Sequence, residues 1–402
     1  MKRQSTVVFL YNSFKDPLVQ NLMLTYIKTL TRNYPAKFYL ITFEQERYSV
    51  PPNDQQLIQE ELSQQGIIWL PLKYHTGRSL LLKKSFDLAI GFIKVLRLRL
   101  FSNASVIFSF ANVSASFGII MAKLLGMKLY VYSYEPHSEF MADFGYWNKS
   151  GLKYKLLNWL EWKVGIHADV VITGTKFMVD ALEKKGSKAR VFRAPTAVDS
   201  NDFFYSEKSR NELRKVLSLE SRKVFVYAGK FGGLYYTDEI FSFFSQILLK
   251  IPSAYLLVLT PDDQSEVRQM ALQYLNASDF MIKYLSNNRE MSGHLSAADF
   301  GISSIPPYPS QKFRSPTKVA EYLLCGLPYI TSKGISEDDI YARERKVGVV
   351  VKNFGKLTSQ NSDELNDILK EDKNILSERC RAVGLEYRSK ERIDQIFRQI
   401  FT

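Results

Sequence analysis

Lys312, Arg314, Lys318 and Glu321 crowd one short stretch, residues 303–331, which reads SSIPPYPSQKFRSPTKVAEYLLCGLPYIT. Cations at that density suit a phosphate, which takes charge-assisted hydrogen bonds from lysine and arginine. The apolar run 299–303 reads as a buried strand, and residues 316–325 as a compact helix. Ser315 falls where an N-cap belongs, with Pro316 at the first helical position. Gly326 and Pro328 then supply a stop. A helix N-terminus therefore sits at the end of a strand, where the free N–H groups of Thr317 and Lys318 and the dipole add to the cations. Glu321, one turn inside, would reach past the phosphates to a hydroxyl-bearing group.

A second chemical turn follows the first apolar run of the second half, at residues 227–233, YAGKFGG. Gly229 and Gly232 let the backbone approach a ligand closely, and Lys230 would point at it. The bland alternative is an ordinary glycine turn with a solvated lysine. Residues 134–139, YEPHSE, follow another strand-like run and carry His137 between Glu135 and Glu139, either of which would orient the ring. His75, His167 and His294 read as surface or helix-end residues. The first loop, 12–16, reads NSFKD; without glycine it does not suit a diphosphate, and Asn12, Ser13 and Lys15 are candidates for the acceptor side.

The stretch 303–331 resembles the donor-binding segment of retaining nucleotide-sugar glycosyltransferases of family 4, which have the GT-B fold. The resemblance implies that Glu321, matching the second glutamate of that family's pair, holds the ribose of the donor. It implies that the preceding turn holds the diphosphate and that His137 contacts the transferred sugar. Residues 227–233 look like the family's Gly-Arg turn, with Lys230 in place of the arginine. Two departures stand out. The first glutamate of the pair is Phe313, and the second basic residue of the Gly-Arg turn falls near Tyr235 or Tyr236; Lys312, Arg314 or Lys318 would stand in for it. Residues 287–290, NNRE, match the region that receives the nucleotide base.

Positioning these loops requires strands that end beside them. Apolar runs at 6–10, 38–42, 67–70, 106–110, 129–133 and 170–173 alternate with helical patterns at 18–32, 57–64, 80–100, 115–125, 152–165 and 177–185. A second alternation has strands at 224–228, 255–259, 280–284, 300–303, 329–331 and 347–351. Such alternation predicts parallel, doubly wound sheets with ligands at the carboxyl ends of the strands. With 402 residues, the expectation is an α/β chain of two Rossmann-like domains facing across a cleft. The first spans 1–200 and takes the acceptor; the second spans 201–385 and takes the donor. By the resemblance, the terminal helix, 386–402, packs back on the first domain.

Composition narrows the class. Apolar content of 46% supports two large cores, and two cysteines, Cys325 and Cys380, fit a reducing compartment rather than a disulfide framework. The net charge of +13 calls for an anionic substrate or surface. No RNA-recognition or zinc-finger pattern appears, so nucleic acid is not the expected partner. No apolar run reaches the length of a bilayer span, which predicts a cytoplasmic protein, soluble or peripheral on the inner face of a membrane. The segments 78–101 and 146–163 interleave apolar and aromatic residues with lysine and arginine. They suit either an anionic membrane interface, and with it a lipid-linked acceptor, or core helices with solvated lysines. With neither an Asp-x-Asp nor a ligand-spaced cysteine pair, no metal and no cofactor are expected.

Taken with these observations, the resemblance implies an enzyme that transfers a hexose from a UDP- or GDP-sugar to a hydroxyl of a glycan or lipid-linked acceptor, with retention, in surface polysaccharide or glycolipid synthesis. Two alternatives remain open: a nucleotide-sugar epimerase of the same fold, and a non-catalytic sugar-nucleotide-binding or membrane scaffold subunit.

Overall fold

A computed structural model describes residues 5–16, 18–34, 36–76, 80–132, 135–285 and 287–401. Strands β1 (Ser5–Phe9), β2 (Phe38–Glu44), β3 (Ile67–Lys73), β4 (Ala104–Phe110), β5 (Lys128–Tyr132), β6 (Val170–Thr173) and β7 (Arg190–Arg193) form one parallel sheet in the order β3-β2-β1-β4-β5-β6-β7. Strands β8 (Lys223–Ala228), β9 (Ala254–Leu259), β10 (Phe280–Lys283), β11 (Phe300–Ser303), β12 (Tyr329–Ser332) and β13 (Gly348–Val351) form a second, in the order β10-β9-β8-β11-β12-β13. Both are doubly wound, and β7 lacks the apolar run that marks the others.

Apart from β7, the strands are largely apolar because helices cover both faces. Alternate residues of β1 divide accordingly: Val8 enters one core, while Val7 and Phe9 enter the other. On one face of the first sheet lie α1 (Leu24–Asn33) and α2 (Pro52–Gln64). On the other lie α3 (Leu80–Phe101), α4 (Ala111–Leu125), α6 (Leu152–His167) and α7 (Lys176–Lys184), with the short α5 (His137–Asp143) at the cleft edge. The second sheet is covered by α8 (Glu207–Val216), α9 (Glu239–Lys250), α10 (Gln264–Leu272), α11 (Asn288–Ala297), α12 (Thr317–Leu324), α13 (Asp338–Glu344), α14 (Ser359–Lys370) and α15 (Lys373–Arg388).

The chain passes between the sheets twice, side by side. Val198 N donates to the Arg388 carbonyl at 3.2 Å, and Lys390 N donates to the Val198 carbonyl at 3.0 Å. The second crossing delivers α16 (Lys390–Phe401) into the first core, where Ile393, Ile396, Phe397 and Ile400 are buried. Phe397 meets Tyr26, Phe108 and Tyr132 with ring centroids 5.4, 6.1 and 5.8 Å apart.

Helix α6 starts at Leu152, as the pattern over 152–165 predicts, so the segment 146–163 is helical only from there. Trp147 precedes α6 and packs edge-on against His137, and Trp162 is half-buried under Lys185. Arg78, Ser133, Tyr134 and the side chains of Leu80 and Leu81, which fall in the segments 78–101, 129–133 and 134–139, lie outside the described residues.

Candidate functional site

Helix α12 begins one residue later than its sequence predicts. Pro316 is the N-cap, with no side-chain cap, and Thr317 is the first helical residue. Ser315 does not cap because its hydroxyl is already engaged. It accepts from Thr196 N at 2.8 Å and from Arg388 Nη1 at 2.7 Å. The fully buried Arg388 also pairs with the fully buried Asp338. Burial pushes Asp338 up to about 6 against the opposing pull of the guanidinium. The first domain comes close at this point: a Cβ on Gly174 would lie 2.7 Å from the Ser315 Cβ, so only glycine fits there. The predicted stop holds, with Gly326 left-handed at φ 67° just past the C-cap.

Beyond this anchor the turn gathers cations around aromatic rings. Lys318 is 6% exposed, and its ammonium has no hydrogen-bond partner. It lies over the rings of Tyr227 and Tyr235 at 4.3 and 4.7 Å. Arg314 lies over Tyr235 at 4.4 Å. The two cations therefore both stand over Tyr235, one of the two tyrosines near the place of the expected basic residue. Burial, and then the charge of Arg314, lower the Lys318 amine to about 7. Gly229, at φ 143°, leaves room for the amine, since a Cβ there would stand 3.0 Å from Nζ. Gly232 is left-handed at φ 70°, and Lys230 is exposed with its carbonyl accepting from the Tyr227 hydroxyl. Lys312 is also exposed, over the Phe313 ring at 5.0 Å, while Phe313 itself packs against the first domain's core.

Thr317 and Glu321 open on a pocket of about 340 Å³ between the domains. Leu18, Gln20 and Tyr26 line it from the first domain, Thr196, Asp199 and Asp202 from the connecting chain, and Asn288 from the start of α11. Burial raises Glu321 to about 7, opposed by Lys318 one turn before it. Lys390 also lines the pocket, paired with Asp199 at 3.2 Å, while Lys318 and Arg314 stand outside its lining. The carboxylate and the neutral and acidic acceptors, next to that cationic turn, match a ligand with a hydroxyl-rich end and an anionic end. In the 287–290 stretch, Asn287 caps α11 and the Asn288 amide donates to Asp202 at 3.3 Å.

The first domain answers across the cleft. Glu135 lies beside Arg314 and accepts the Ser315 N–H, while burial pushes its carboxyl up to about 7. His137 starts α5, and burial and Lys153 lower its pKa. Neither predicted acid orients its ring. Glu139 is instead taken by Tyr154 at 2.5 Å and by Lys149 and Asn158 at 3.1 Å, while Trp147 supports the imidazole. Beneath the loop, Glu161 accepts from the Ser138 amide at 3.1 Å and from its hydroxyl. Asp143 accepts Ser310 N at 2.9 Å, and Tyr146 reaches the Gly233 carbonyl at 3.4 Å.

The first-loop candidates are not gathered with this cluster. The Ser13 hydroxyl is buried, accepting from Gln45 N at 2.7 Å and donating to the Phe43 carbonyl at 3.3 Å, which commits it to the backbone at the end of β2. Asn12 donates to Asp16 at 3.1 Å, and Lys15 is exposed.

Sequence reading missed three partners. Arg388 sits in an ordinary charged helix and gives no local signal. Glu135 was visible in its motif, but as a partner of His137 rather than of Arg314. His75, expected at the surface, has Nδ1 2.5 Å from the fully buried Asp87. Among the described residues no three His, Cys, Asp or Glu side chains gather as a metal site.

No family model matches this chain, and no curated protein does. Solved structures do. Sucrose-phosphate synthase from Thermosynechococcus elongatus superposes with a TM-score of 0.72 at 16% identity, covering 99% of each chain. Anabaena HepE in complex with UDP superposes at 0.69 with 12% identity, again over 99% of each chain. WaaG, a glycosyltransferase involved in lipopolysaccharide biosynthesis, superposes at 0.63 with 15% identity over 98% of each. The chain has the GT-B fold: two Rossmann-like domains, each with a parallel sheet, facing across a cleft.

Proposed function

We propose that this protein is a metal-independent glycosyltransferase that moves a hexose, with retention, from a nucleotide diphosphate sugar to a hydroxyl of a glycan or lipid-linked acceptor. One observation carries the reading: the buried ammonium of Lys318, without a hydrogen-bond partner, stands one helical turn from Glu321, which opens on the interdomain pocket. The fold likeness to HepE, solved with UDP and with UDP-glucose, supports a UDP-sugar or related donor.

The costly event is cleavage of the bond between sugar and phosphate, which builds charge on the diphosphate. Lys318, Arg314, Lys230 and the amides of Thr317 and Lys318 would stabilise that charge more in the transition state than in the bound donor. Gly229 and Gly232 admit the diphosphate to the backbone, and Glu321 grips the ribose hydroxyls. His137 holds the sugar. A departing phosphate oxygen takes the acceptor proton, so Phe313 in place of a glutamate is tolerable. Closure of the domains keeps water from the reacting sugar.

Incubation with UDP- and GDP-hexoses, with and without candidate acceptors, tests the proposal. Acceptor-dependent release of nucleoside diphosphate is the expected result. A new sugar nucleotide formed without acceptor would select epimerisation, and tight binding without turnover would select the scaffold role.

A further inference from the structure

Helices α3, α4 and α6 lie side by side over the first sheet, with α4 in the middle. Their inner residues, among them Val95, Leu98, Ile119 and Val164, fill the core. Their outer residues are apolar as well. On α3 the outward stripe is Leu82, Phe86, Ile93, Leu100 and Phe101, each more than half exposed. On α4 it is Val113, Ile120 and Leu124. On α6 it is Leu152, Leu156 and Trp159, with Leu152 82% exposed. Spacings of three, four and seven residues put each set on one side of its helix, with Phe101 adjoining at the end of α3. Soluble monomers rarely leave so continuous an apolar surface uncovered.

The charges on this layer have one sign. The three helices contain two acids, Asp87 and Glu161, and both are buried. Arg97, Lys123, Lys153 and Lys155 are exposed among the apolar residues, with Lys94 and Lys163 half-exposed. We propose that this face rests on an anionic lipid bilayer, with Phe86 and Trp159 sunk into the interface and the cations among the headgroups. A second copy of the chain is a poor occupant, because pairing the face with itself would set cations against cations. Apolar side chains that enter the acyl boundary, ringed by lysines that reach headgroups, are the arrangement of an interfacial protein.

The geometry also has a direction. Helix α4 starts at Ala111, directly after β4 ends at the cleft edge. A bilayer against the layer would lie next to the mouth of the first domain's half of the cleft. The inference stands on the fold and the surface alone, independent of the transferase reading.

Flotation of the purified protein with vesicles tests it. Binding is expected to vesicles of phosphatidylcholine containing about a third phosphatidylglycerol, to be weak to phosphatidylcholine alone, and to loosen as salt shortens the Debye length. The pair Phe86→Glu and Trp159→Glu should weaken binding about tenfold or more. Leu249→Glu, at a residue 81% exposed on α9, should leave it unchanged. Equal binding to neutral vesicles, or binding indifferent to the paired substitution, would overturn the proposal. So would a dimer in vesicle-free solution that the same substitutions dissolve. Thermal shifts with nucleotide sugars, read on the same variants, report folding and the donor site separately.

Discussion

Arg388, the last residue of α15, donates to the hydroxyl of Ser315, two residues before α12, at 2.7 Å inside the seam between the domains. The same guanidinium reaches the carbonyls of Thr196 and Pro316, each at 3.3 Å. One side chain thus ties the connecting chain, the return crossing and the cation-bearing turn together.

Removing that tie should cost more than removing its acceptor. Arg388→Met leaves Asp338 buried without its cation, a loss of about 3–5 kcal/mol. Ser315→Ala keeps that pair and leaves the guanidinium the Thr196 and Pro316 carbonyls, stranding only the Thr196 N–H, at about 1–3 kcal/mol. Urea denaturation of the two variants checks the order; an equal or reversed ranking would remove Arg388 from its structural role.

Lys318 gives a signature in protons. Its amine is lowered to about 7, so at pH 8 it is mostly neutral in the empty site. A diphosphate placed beside it restores the charge, and UDP binding at pH 8 should draw a proton from solution. Calorimetry in two buffers of different ionisation enthalpy measures the uptake, and Lys318→Met should abolish it. Binding with no proton exchange at pH 8 would place the diphosphate elsewhere.

Glu321→Ala should weaken UDP binding roughly tenfold to a hundredfold, the loss of hydrogen bonds to a charged acceptor. Unchanged affinity would argue against the ribose contact. Stability should respond to pH as well. The folded value near 7 lies above the ordinary carboxylate range, so the folded state binds more protons, and stability falls as pH rises from about 4 to 7. Glu135 and Glu161, also raised to about 7, act in the same direction. Melting temperatures at pH 5 and pH 7 should fall less in Glu321→Gln than in the parent.

Lys230→Ala should lower turnover about a hundred- to a thousandfold, as for loss of one charge-stabilising donor. The side chain is exposed, so melting should hardly change. Near-normal turnover would take Lys230 out of the site and leave the anionic end to Lys318 and Arg314.

Much of the architecture was legible because each buried strand is a run of apolar residues bounded by turns. Strand β7, RVFR, was not, since it is an edge strand whose end residues are arginines. Ser315 shows the limit at the site. Its type and place before Pro316 fit a cap, yet a guanidinium 73 residues away in sequence takes the hydroxyl. Glu135 shows the same limit from the other domain. A motif names the residues of a loop, but which charge faces them depends on how the two halves meet.

Helix α16 closes the core around β1 through Phe397 and its neighbours, although the whole second sheet is written between them. During synthesis β1 leaves the ribosome before β8–β13, and residues 390–401 emerge only after all of them. The first domain is therefore begun before the second and completed after it, and until then its aromatic interior waits partly uncovered.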